Sequence, residues 1–231
     1  MKNLRFFLDF DGTVSASDVV DLALERYADE TWRLAEKEWA AGAIGSRECL
    51  SRQVALLAAK AEELGAVADG VGVDPGFNGF LRAAAAYKIP VAVVSDGFDF
   101  FIRRILERAV PDRALLEALP VYCNHLEPAG GRWAAAFPAA ACAHGCANCK
   151  PAAMRRVRAA DDFVVFVGDG LSDRFAAADS DLVFAKGKLL EYCRQHGLKN
   201  HRPYTDFKEI EAWLNTWKAG RQAYQSLHPQ V

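Results

Sequence analysis

Features that mark membrane and secreted proteins are missing from this chain of 231 residues. No stretch reaches the ~18 uninterrupted apolar residues of a membrane-spanning helix. The apolar run near the N-terminus covers only Phe6 to Leu8 and stops at Asp9, short of the ~7–15 apolar residues of a signal peptide. We therefore expect a cytoplasmic protein that has no membrane partner.

An excess of charge of either sign is also missing. Lys and Arg number 28, Asp and Glu number 30, and the formal net charge is −2. This balance argues against a dedicated nucleic-acid binder or a polybasic membrane binder. Internal repeats and low-complexity segments are absent, and 52% of the residues are hydrophobic, enough to build a folded core at this length.

Short apolar runs predict buried parallel strands, because they lack the alternating polar face of a half-exposed strand. The predicted strands are Leu4–Phe10, Ile89–Ser95, Phe163–Gly168 and Leu182–Ala185. The first three each end in small or acidic residues and run into a helical pattern. This alternation predicts an α/β fold with a doubly wound parallel sheet.

A stretch of different character separates the first two strands. Its apolar residues recur at helical spacing and glycines punctuate it, which predicts three or four helices inserted after the first strand. We divide the chain into an α/β core at 1–14 and 74–220, a helical cap at 15–73 and a loose tail at 221–231. Trp32 and Trp39 are seven residues apart on one predicted helix face, and either cap packing or an apolar substrate wall would account for them.

Acidic and small polar residues follow three of the strands. They form the groups Asp9–Thr13, Ser95–Gly97 and Gly168–Asp173. The carboxyl ends of parallel strands lie along one edge of an open α/β sheet, where ligands bind. Several carboxylates gathered there repel one another unless a cation lies between them, and such an oxygen-rich site suits Mg²⁺.

These groups together resemble the motifs of the haloacid dehalogenase (HAD) superfamily of phosphatases. The matching segments are F-L-D-F-D-G-T at 7–13, V-V-S-D-G at 93–97, a lysine at 150 and V-G-D-G-L-S-D at 167–173. The resemblance implies a HAD-like, Rossmann-type fold and a phosphomonoesterase. It also implies that the inserted helices form a cap that closes over the site.

The resemblance also implies roles for individual residues. Asp9 is the expected nucleophile, which forms an aspartyl phosphate, and Asp11 is the expected general acid and base. The Ser95–Gly97 group (Ser95, Asp96 and Gly97) would bind the phosphoryl group, and Lys150 would neutralise its charge. The Mg²⁺ site would consist of Asp9, Asp11 (through its backbone carbonyl), Asp169 and Asp173.

Two other classes of function share this fold. Carbon–halogen hydrolysis does not need the leaving-group proton that Asp11 would supply. A non-catalytic ligand-binding relative would not need the nucleophile Asp9. We therefore expect a Mg²⁺-dependent hydrolase of a small phosphorylated metabolite that acts as a monomer or a homodimer.

A closer resemblance points to one branch of the superfamily. Gly76–Ile102, Cys142–Pro151 and Asp181–Ala185 are similar to the methionine-salvage phosphatases, which hydrolyse 2-hydroxy-3-keto-5-methylthiopentenyl-1-phosphate. Phosphoserine, phosphoethanolamine and pyridoxal phosphate are the alternative substrates. Asp18 matches the place where phosphoserine phosphatases contact the substrate amine, whereas Gln53 stands near the place of their carboxylate-binding arginine. Asp96 departs from the family pattern, in which a second glycine is usual.

A Cys-rich segment precedes Lys150 directly. Of the six cysteines, Cys142, Cys146 and Cys149 fall within eight residues, and His144 lies between them. Three Cys and one His form an accepted zinc ligand set, so a structural Zn²⁺ site is one prediction for this loop. Packed free thiols or a disulfide are the alternatives.

Overall fold

A seven-stranded sheet lies at the centre of the protein. The computed structural model describes the backbone of residues 3–227 and the side chains of residues 3–220. The strands are β1 (Asn3–Leu8), β2 (Val91–Phe98), β3 (Val121–Ala129), β4 (Arg132–Ala136), β5 (Asp162–Gly168), β6 (Leu182–Ala185) and β7 (His201–Pro203).

The strand order is β4-β3-β2-β1-β5-β6-β7, and β1 lies in the middle. Neighbouring strands are parallel except β3 and β4, which form an antiparallel hairpin. The chain winds outward from β1 to β2 and β3 on one side, and to β5, β6 and β7 on the other. The predicted α/β fold with a doubly wound, mostly parallel sheet is confirmed, and the switch point lies at β1.

Helices cover both faces of the sheet. They are α1 (Val19–Tyr27), α2 (Trp32–Ala40), α3 (Ser46–Val54), α4 (Ala61–Gly70), α5 (Phe77–Ala86), α6 (Asp99–Ala109), α7 (Arg113–Glu117), α8 (Lys150–Val157), α9 (Arg174–Ala178), α10 (Gly187–Gln195) and α11 (Phe207–Leu227). A short 3-10 turn at Leu171–Asp173 precedes α9.

Consecutive side chains of β1 enter two separate cores, because a strand alternates its side chains between faces. Phe6 packs edge-on against Phe80 of α5 and Trp213 of α11, with ring centroids 4.9 and 6.2 Å apart. Phe7 belongs to the opposite core, which also contains Met154 of α8 and Leu189 of α10. Burial on both faces explains why the β1 sequence is apolar without interruption.

The helices α1 to α4 form the insertion between β1 and α5. Their buried side chains, among them Leu24, Val54 and Leu64, join the core on the α5 and α6 side of the sheet. The chain enters and leaves the insertion side by side, since Ser15 and Val73 form an isolated antiparallel bridge. These two residues are the bounds that the sequence predicts for the cap.

The ends of the sheet differ most from the prediction, which contained neither β4 nor β7.

The helix α11 runs to Leu227, within the stretch 221–231 predicted as a loose tail, and residues 228–231 lie outside the described part of the chain. Among the residues described, no helix combines the length and the apolar character needed to cross a membrane.

Candidate active site

A cavity of about 380 Å³ lies between the carboxyl edge of the sheet and the inserted helices. Its floor contains residues that follow β1 and β5 and residues in the last part of β2, together with Lys150 at the start of α8. All of the predicted catalytic and phosphate- or substrate-binding residues line this one cavity, namely Asp9, Asp11, Asp18, Ser95, Asp96, Gly97 and Lys150, and the predicted metal ligand Asp169 lines it too. Asp173 is fully buried behind the floor.

The Lys150 ammonium links two carboxylates at the floor. It donates to Asp9 Oδ1 at 2.7 Å and to Asp173 Oδ1 at 2.5 Å, and all three residues are buried. Lys150 is the first residue of α8, and Pro151 follows it at a position where a helix tolerates proline. The start of α8 therefore fixes the only cation in direct contact with Asp9 among the described residues.

Asp173 organises the turn after β5. Its Oδ2 accepts hydrogen bonds from the backbone N–H groups of Asp169 and Gly170, at 3.0 and 3.1 Å. Both of its oxygens are thus engaged, since Oδ1 binds Lys150. This arrangement suits a residue that positions Asp169 and Lys150 rather than one that approaches a ligand freely.

Asp169 faces the first strand end across the site. Its Oδ1 accepts from the Thr13 hydroxyl at 2.7 Å. Gly12, between Asp11 and Thr13, has a φ of +72°, and a Cβ there would collide with the Asp169 carboxylate. Glycine is needed at this position both for its backbone conformation and for the close approach of Asp169.

Asp11 is oriented toward the second strand end and the first inserted helix. Its Oδ1 accepts from the Val19 N–H at 3.0 Å, and its Oδ2 lies 3.4 Å from the Ser95 hydroxyl. The Ser95 oxygen accepts in turn from the Gly97 N–H at 2.8 Å. Asp11 is therefore in contact with Ser95, whereas Asp9 is in contact with Lys150.

Carboxylates outnumber cations at the floor. Oxygens of Asp9, Asp169 and Asp173 lie within 4.8 Å of one another, and Lys150 is the cation in direct contact with them. The Asp11 side chain is not part of this cluster and contacts Val19 and Ser95 instead, and the metal role that the resemblance implies for Asp11 belongs to its backbone carbonyl. Hard oxygen ligands with excess negative charge are the donor set that Mg²⁺ prefers, and the residues present fit that ion.

Burial and mutual repulsion have a clear electrostatic effect. Burial, with Asp173 next, raises the pKa of Asp169 to about 6. Burial and then Asp173 raise the pKa of Asp9 well above its usual value, although Lys150 opposes the shift. Burial also acts to lower the pKa of Lys150, but Asp173 and Asp9 outweigh it and hold that pKa well above its usual value. The site thus favours one additional positive charge.

Asp96 and Asp18 join the site to the inserted helices. Asp96 Oδ2 accepts from the Ser46 hydroxyl of α3 at 3.0 Å, and its Oδ1 has no hydrogen-bond partner among the described residues. Asp18 lines the cavity as the N-cap of α1, where it accepts from the Asp21 N–H at 3.0 Å. Asp18 therefore caps α1, in addition to the substrate contact predicted for it.

The cavity roof consists mostly of residues that the sequence did not mark as functional; the exceptions are Trp39, a candidate substrate wall, and Gln53, compared above with a carboxylate-binding arginine. It is lined by Val20, Asp21, Glu36, Trp39, Ser46, Cys49, Leu50 and Gln53 of the inserted helices. Gln53 is 2% exposed and donates to Glu36 Oε2 at 3.3 Å. Trp32 is buried in the core, whereas the half-buried Trp39 lines the cavity, so the two tryptophans have different environments. No local pattern in the sequence separates them.

The Cys-rich loop lies beside this cavity, at its α3 side. Ligand atoms of Cys142, His144 and Cys146 lie within 4.8 Å of one another, which makes this the second candidate metal cluster among the described residues. All six cysteines are free thiols in this structure. Burial acts to raise the pKa of Cys142, but N–H groups of Cys146 and His144 outweigh it and lower that pKa.

Comparison with known families and proteins agrees with this arrangement. The model of the haloacid dehalogenase-like hydrolases matches residues 6–178, which contain all four motif segments. The bifunctional enzyme MtnB/MtnX of Bacillus licheniformis is 32% identical over 93% of this chain, which spans half of that protein's length. A 2-hydroxy-3-keto-5-methylthiopentenyl-1-phosphate phosphatase of Geobacillus kaustophilus is 29% identical over 90% of this chain and 94% of its own.

Solved structures share the fold at low sequence identity. A phosphoserine phosphatase, solved as an analogue of its phospho-aspartyl intermediate, superimposes with a TM-score of 0.66 at 20% identity over 92% of this chain and 99% of its own. A HAD family hydrolase from Salmonella enterica serovar Typhi gives 0.70 at 18% identity, over 90% and 70%. The predicted family and enzyme class are confirmed: this chain belongs to the haloacid dehalogenase-like hydrolases.

Proposed function

We propose that this hydrolase is a Mg²⁺-dependent phosphomonoesterase whose nucleophile is Asp9. The observation that carries the proposal is the setting of the Asp9 carboxylate. It lies on the cavity floor, 5% exposed, held by the Lys150 ammonium and flanked by Asp11 and Ser95. A buried carboxylate with a fixed cation on one oxygen and a polar cavity before it is suited to attack a phosphoryl group.

Each transfer step has a residue suited to it. A carboxylate oxygen of Asp9 attacks phosphorus, the bond from phosphorus to the ester oxygen breaks, and Asp11 gives its proton to the departing alkoxide. Water then attacks the aspartyl phosphate, Asp11 takes the water proton, and the bond from Asp9 to phosphorus breaks to release inorganic phosphate. The proton of Asp11 is thereby restored at the end of the cycle.

The charge of the phosphoryl group needs stabilisation throughout. Lys150 and the Ser95 hydroxyl supply donors from the protein. Bound Mg²⁺, held by Asp9, Asp169 and the Asp11 carbonyl and steadied by Asp173, would supply the remaining positive charge. The inserted helices 15–73 would act as a lid that keeps water away from the intermediate and contacts the rest of the substrate.

We further propose 2-hydroxy-3-keto-5-methylthiopentenyl-1-phosphate as the substrate. Relatives named for this activity support the proposal. The roof supports it too, since Trp39, Leu50 and Val20 offer apolar surface to a methylthio tail. Gln53, which donates to Glu36, presents no cation at the place of the carboxylate-binding arginine of phosphoserine phosphatases, so Lys188 is the one cation besides Lys150 among the described residues that line the cavity. For the Cys-rich loop we propose a structural Zn²⁺ ion.

A panel of phosphorylated metabolites tests the function. The panel contains the proposed substrate, phosphoserine, phosphoethanolamine and pyridoxal phosphate, each assayed for phosphate release with Mg²⁺. We expect the proposed substrate to give the highest kcat/KM. Hydrolysis of none of the four would contradict the phosphatase proposal and favour a ligand-binding relative.

The nucleophile is tested by Asp9→Asn, which keeps the shape of the side chain but cannot form the aspartyl phosphate. We expect turnover to fall by at least ~10³-fold, the order seen when a nucleophile is removed, with an unchanged circular dichroism spectrum. The matched control is Asp161→Asn, an exposed residue before β5, which should keep full activity. Substantial turnover by the Asp9→Asn enzyme would refute the assignment.

A further inference from the structure

The Cys-rich loop contains ligands that the phosphatase chemistry does not use. It connects β4 to α8 over residues 137–149. Besides the cluster of Cys142, His144 and Cys146, the thiol of Cys149 is in hydrogen-bonding contact with the thiol of Cys142. The structure thus brings two sulfur ligands and one imidazole within 4.8 Å of one another, and Cys149, whose thiol neighbours that of Cys142, is the fourth ligand that the same segment offers.

The loop is arranged to receive a soft cation. The N–H of Cys146 donates to Cys142 Sγ at 3.4 Å. Such bonds stabilise a thiolate, the form of cysteine that binds metal. The His144 ring stacks on Phe175 of α9 with 4.0 Å between centroids, which fixes the orientation of the imidazole.

The same loop is the surface on which the lid rests. The Arg47 N–H donates to the Gly145 carbonyl at 3.0 Å, and its guanidinium donates to the Ala139 carbonyl at 2.6 Å. The backbones of Gly45 and Gly145 are in contact, since a Cβ on Gly45 would overlap the Gly145 backbone. The beginning of α3 therefore lies directly against the residues between the metal ligands.

One hydroxyl completes this junction. Ser46 Oγ accepts from the Ala147 N–H at 2.8 Å and donates to Asp96 Oδ2 at 3.0 Å. It connects the lid, the Cys-rich loop and the strand end beside Ser95. On the other side of the loop, Cys149 is followed at once by Lys150. The conformation of the loop therefore bears on the position of the lid and on that of the Asp9 cation.

We propose that Cys142, His144, Cys146 and Cys149 bind one Zn²⁺ ion, and that the metal-bound loop is the platform on which the lid closes. The metal site stands on the loop geometry alone, whereas its effect on turnover rests on the proposed phosphatase function. Without metal, a segment rich in Ala and Gly loses more entropy when it is ordered. A metal ion bound by four ligands orders the loop, and the ordered loop holds Lys150 and the carbonyl groups that Arg47 contacts in place.

Cobalt substitution tests the metal site without any activity assay. Zn²⁺ is removed with a chelator, and the apoprotein is titrated with Co²⁺. We expect one equivalent to give the intense visible bands of a tetrahedral ion and a thiolate charge-transfer band, both abolished when one Zn²⁺ is added. Cys142→Ser and Cys149→Ser should lose the bands. The matched control Cys193→Ser, a buried thiol in α10, and Asp169→Asn at the Mg²⁺ site should keep them.

Two results would overturn the metal site. One is protein, purified without chelator, that carries no zinc and gives no tetrahedral cobalt spectrum. The other is a thiol titration that finds fewer than the six free cysteines of the chain, which would assign the loop to a disulfide. Neither result depends on the substrate, so failure of the phosphatase proposal leaves this test intact.

A double-mutant cycle tests the platform. Arg47→Ala should retain the cobalt spectrum but lower kcat/KM about tenfold, the order expected from loss of a charged hydrogen bond. Cys142→Ser should lower it similarly, and the double variant should be little worse than either single one, because both disrupt the same docking contact. Lys37→Ala, an exposed change elsewhere on the lid, is the control. Fully multiplicative losses would overturn the platform while leaving the metal site.

Discussion

The uncompensated charge at the cavity floor predicts that Asp169→Asn stabilises the Mg²⁺-free protein. Burial and Asp173 raise the pKa of Asp169 from its usual value of 3.8 to about 6. A difference of about 2 in pKa corresponds to roughly 3 kcal/mol. Because Asp169 is only partly buried, solvent screening reduces this to about 1–2 kcal/mol.

The sign follows from proton linkage. The carboxyl holds its proton more tightly in the folded state than in the unfolded one, so ionisation weakens folding as the pH rises from about 4 through about 6. The Mg²⁺-free wild type should therefore be less stable at neutral pH than at about pH 5. Asn carries no charge and keeps an oxygen for the Thr13 hydroxyl, so the variant should escape this loss.

Thermal unfolding measures the effect. Mg²⁺ is removed by dialysis without a chelator, so that any metal in the Cys-rich loop stays bound. At about pH 7.5 the Tm of Asp169→Asn should exceed that of the wild type by about 2–8 °C, since 1 kcal/mol shifts a domain of this size by about 2–4 °C. The gap should narrow at about pH 5 and should shrink again when Mg²⁺ is added.

The control for this experiment is Asp161→Asn, which removes an exposed charge far from the cavity and should leave the Tm unchanged. A lower Tm for Asp169→Asn at neutral pH would refute the reasoning, because it would mean that the carboxylates do not repel one another in the folded state. An equal rise for both variants would assign the effect to net charge alone.

Three further predictions follow from the site. Removal of Mg²⁺ should stop phosphate release, and Mg²⁺ should restore it while Ca²⁺ should not, since the tighter octahedral geometry is needed; full activity after removal would contradict the carboxylate site. Gly12→Ala should cost about 1–2 kcal/mol of stability because of its positive φ, and it should lower the affinity for Mg²⁺ because the new Cβ displaces Asp169. A Mg²⁺ titration and thermal unfolding test this, with Gly42→Ala as the control, since Gly42 has a positive φ but open space around it. Trp39→Ala should raise KM for the methylthio substrate about tenfold, from the ~1.5–3 kcal/mol that burial of a large apolar group contributes, and should change KM for phosphoethanolamine little; equal changes for both would remove Trp39 from the substrate wall.

The strands that could be predicted are those buried on both faces. β1, β2 and β5 lie where uninterrupted apolar runs placed them, because only a covered strand tolerates such a run. β4 and β7 lie at the two edges of the sheet, and β7 has only three residues. An edge strand this short pairs because of its neighbour, so its own sequence contains no comparable pattern.

The floor of the site could be predicted for a related reason. Asp9 and Asp11 come just after β1, Asp169 comes just after β5, and Ser95 lies near the end of β2. Parallel strands end on one edge, so topology alone brings these residues together. Thr13 belongs to the same segment, yet its bond to Asp169 depends on the turn at Gly12. Lys150 lies at the site because it begins α8. It does not follow a strand, so the resemblance to the family motifs predicted its place and the strand pattern did not.

The roof required tertiary structure. Gln53, Glu36 and Trp39 face the cavity only because α2 and α3 pack against each other and over the sheet edge. Helical periodicity marks which residues are apolar, but a residue between the core face and the solvent face can line a cavity or lie at the surface. Trp32 and Trp39 are an example, because the sequence places them on one helix face, yet Trp32 is buried in the core and Trp39 lines the cavity.

Asp96 depends both on its strand end and on the packing of the inserted helices. Considered alone, a carboxylate beside Ser95 would oppose the phosphate binding proposed for that residue, and burial raises the pKa of Asp96. In the folded protein its Oδ2 accepts from Ser46, a lid residue 50 positions earlier, and the same hydroxyl accepts from the Cys-rich loop. The carboxylate at this departure from the family pattern therefore has its partner on α3, at the place where α3 contacts the Cys-rich loop. A carboxylate that is unfavourable at the strand end by itself thus gains a hydrogen bond from an inserted helix, and no pattern in the sequence around Asp96 predicts that contact.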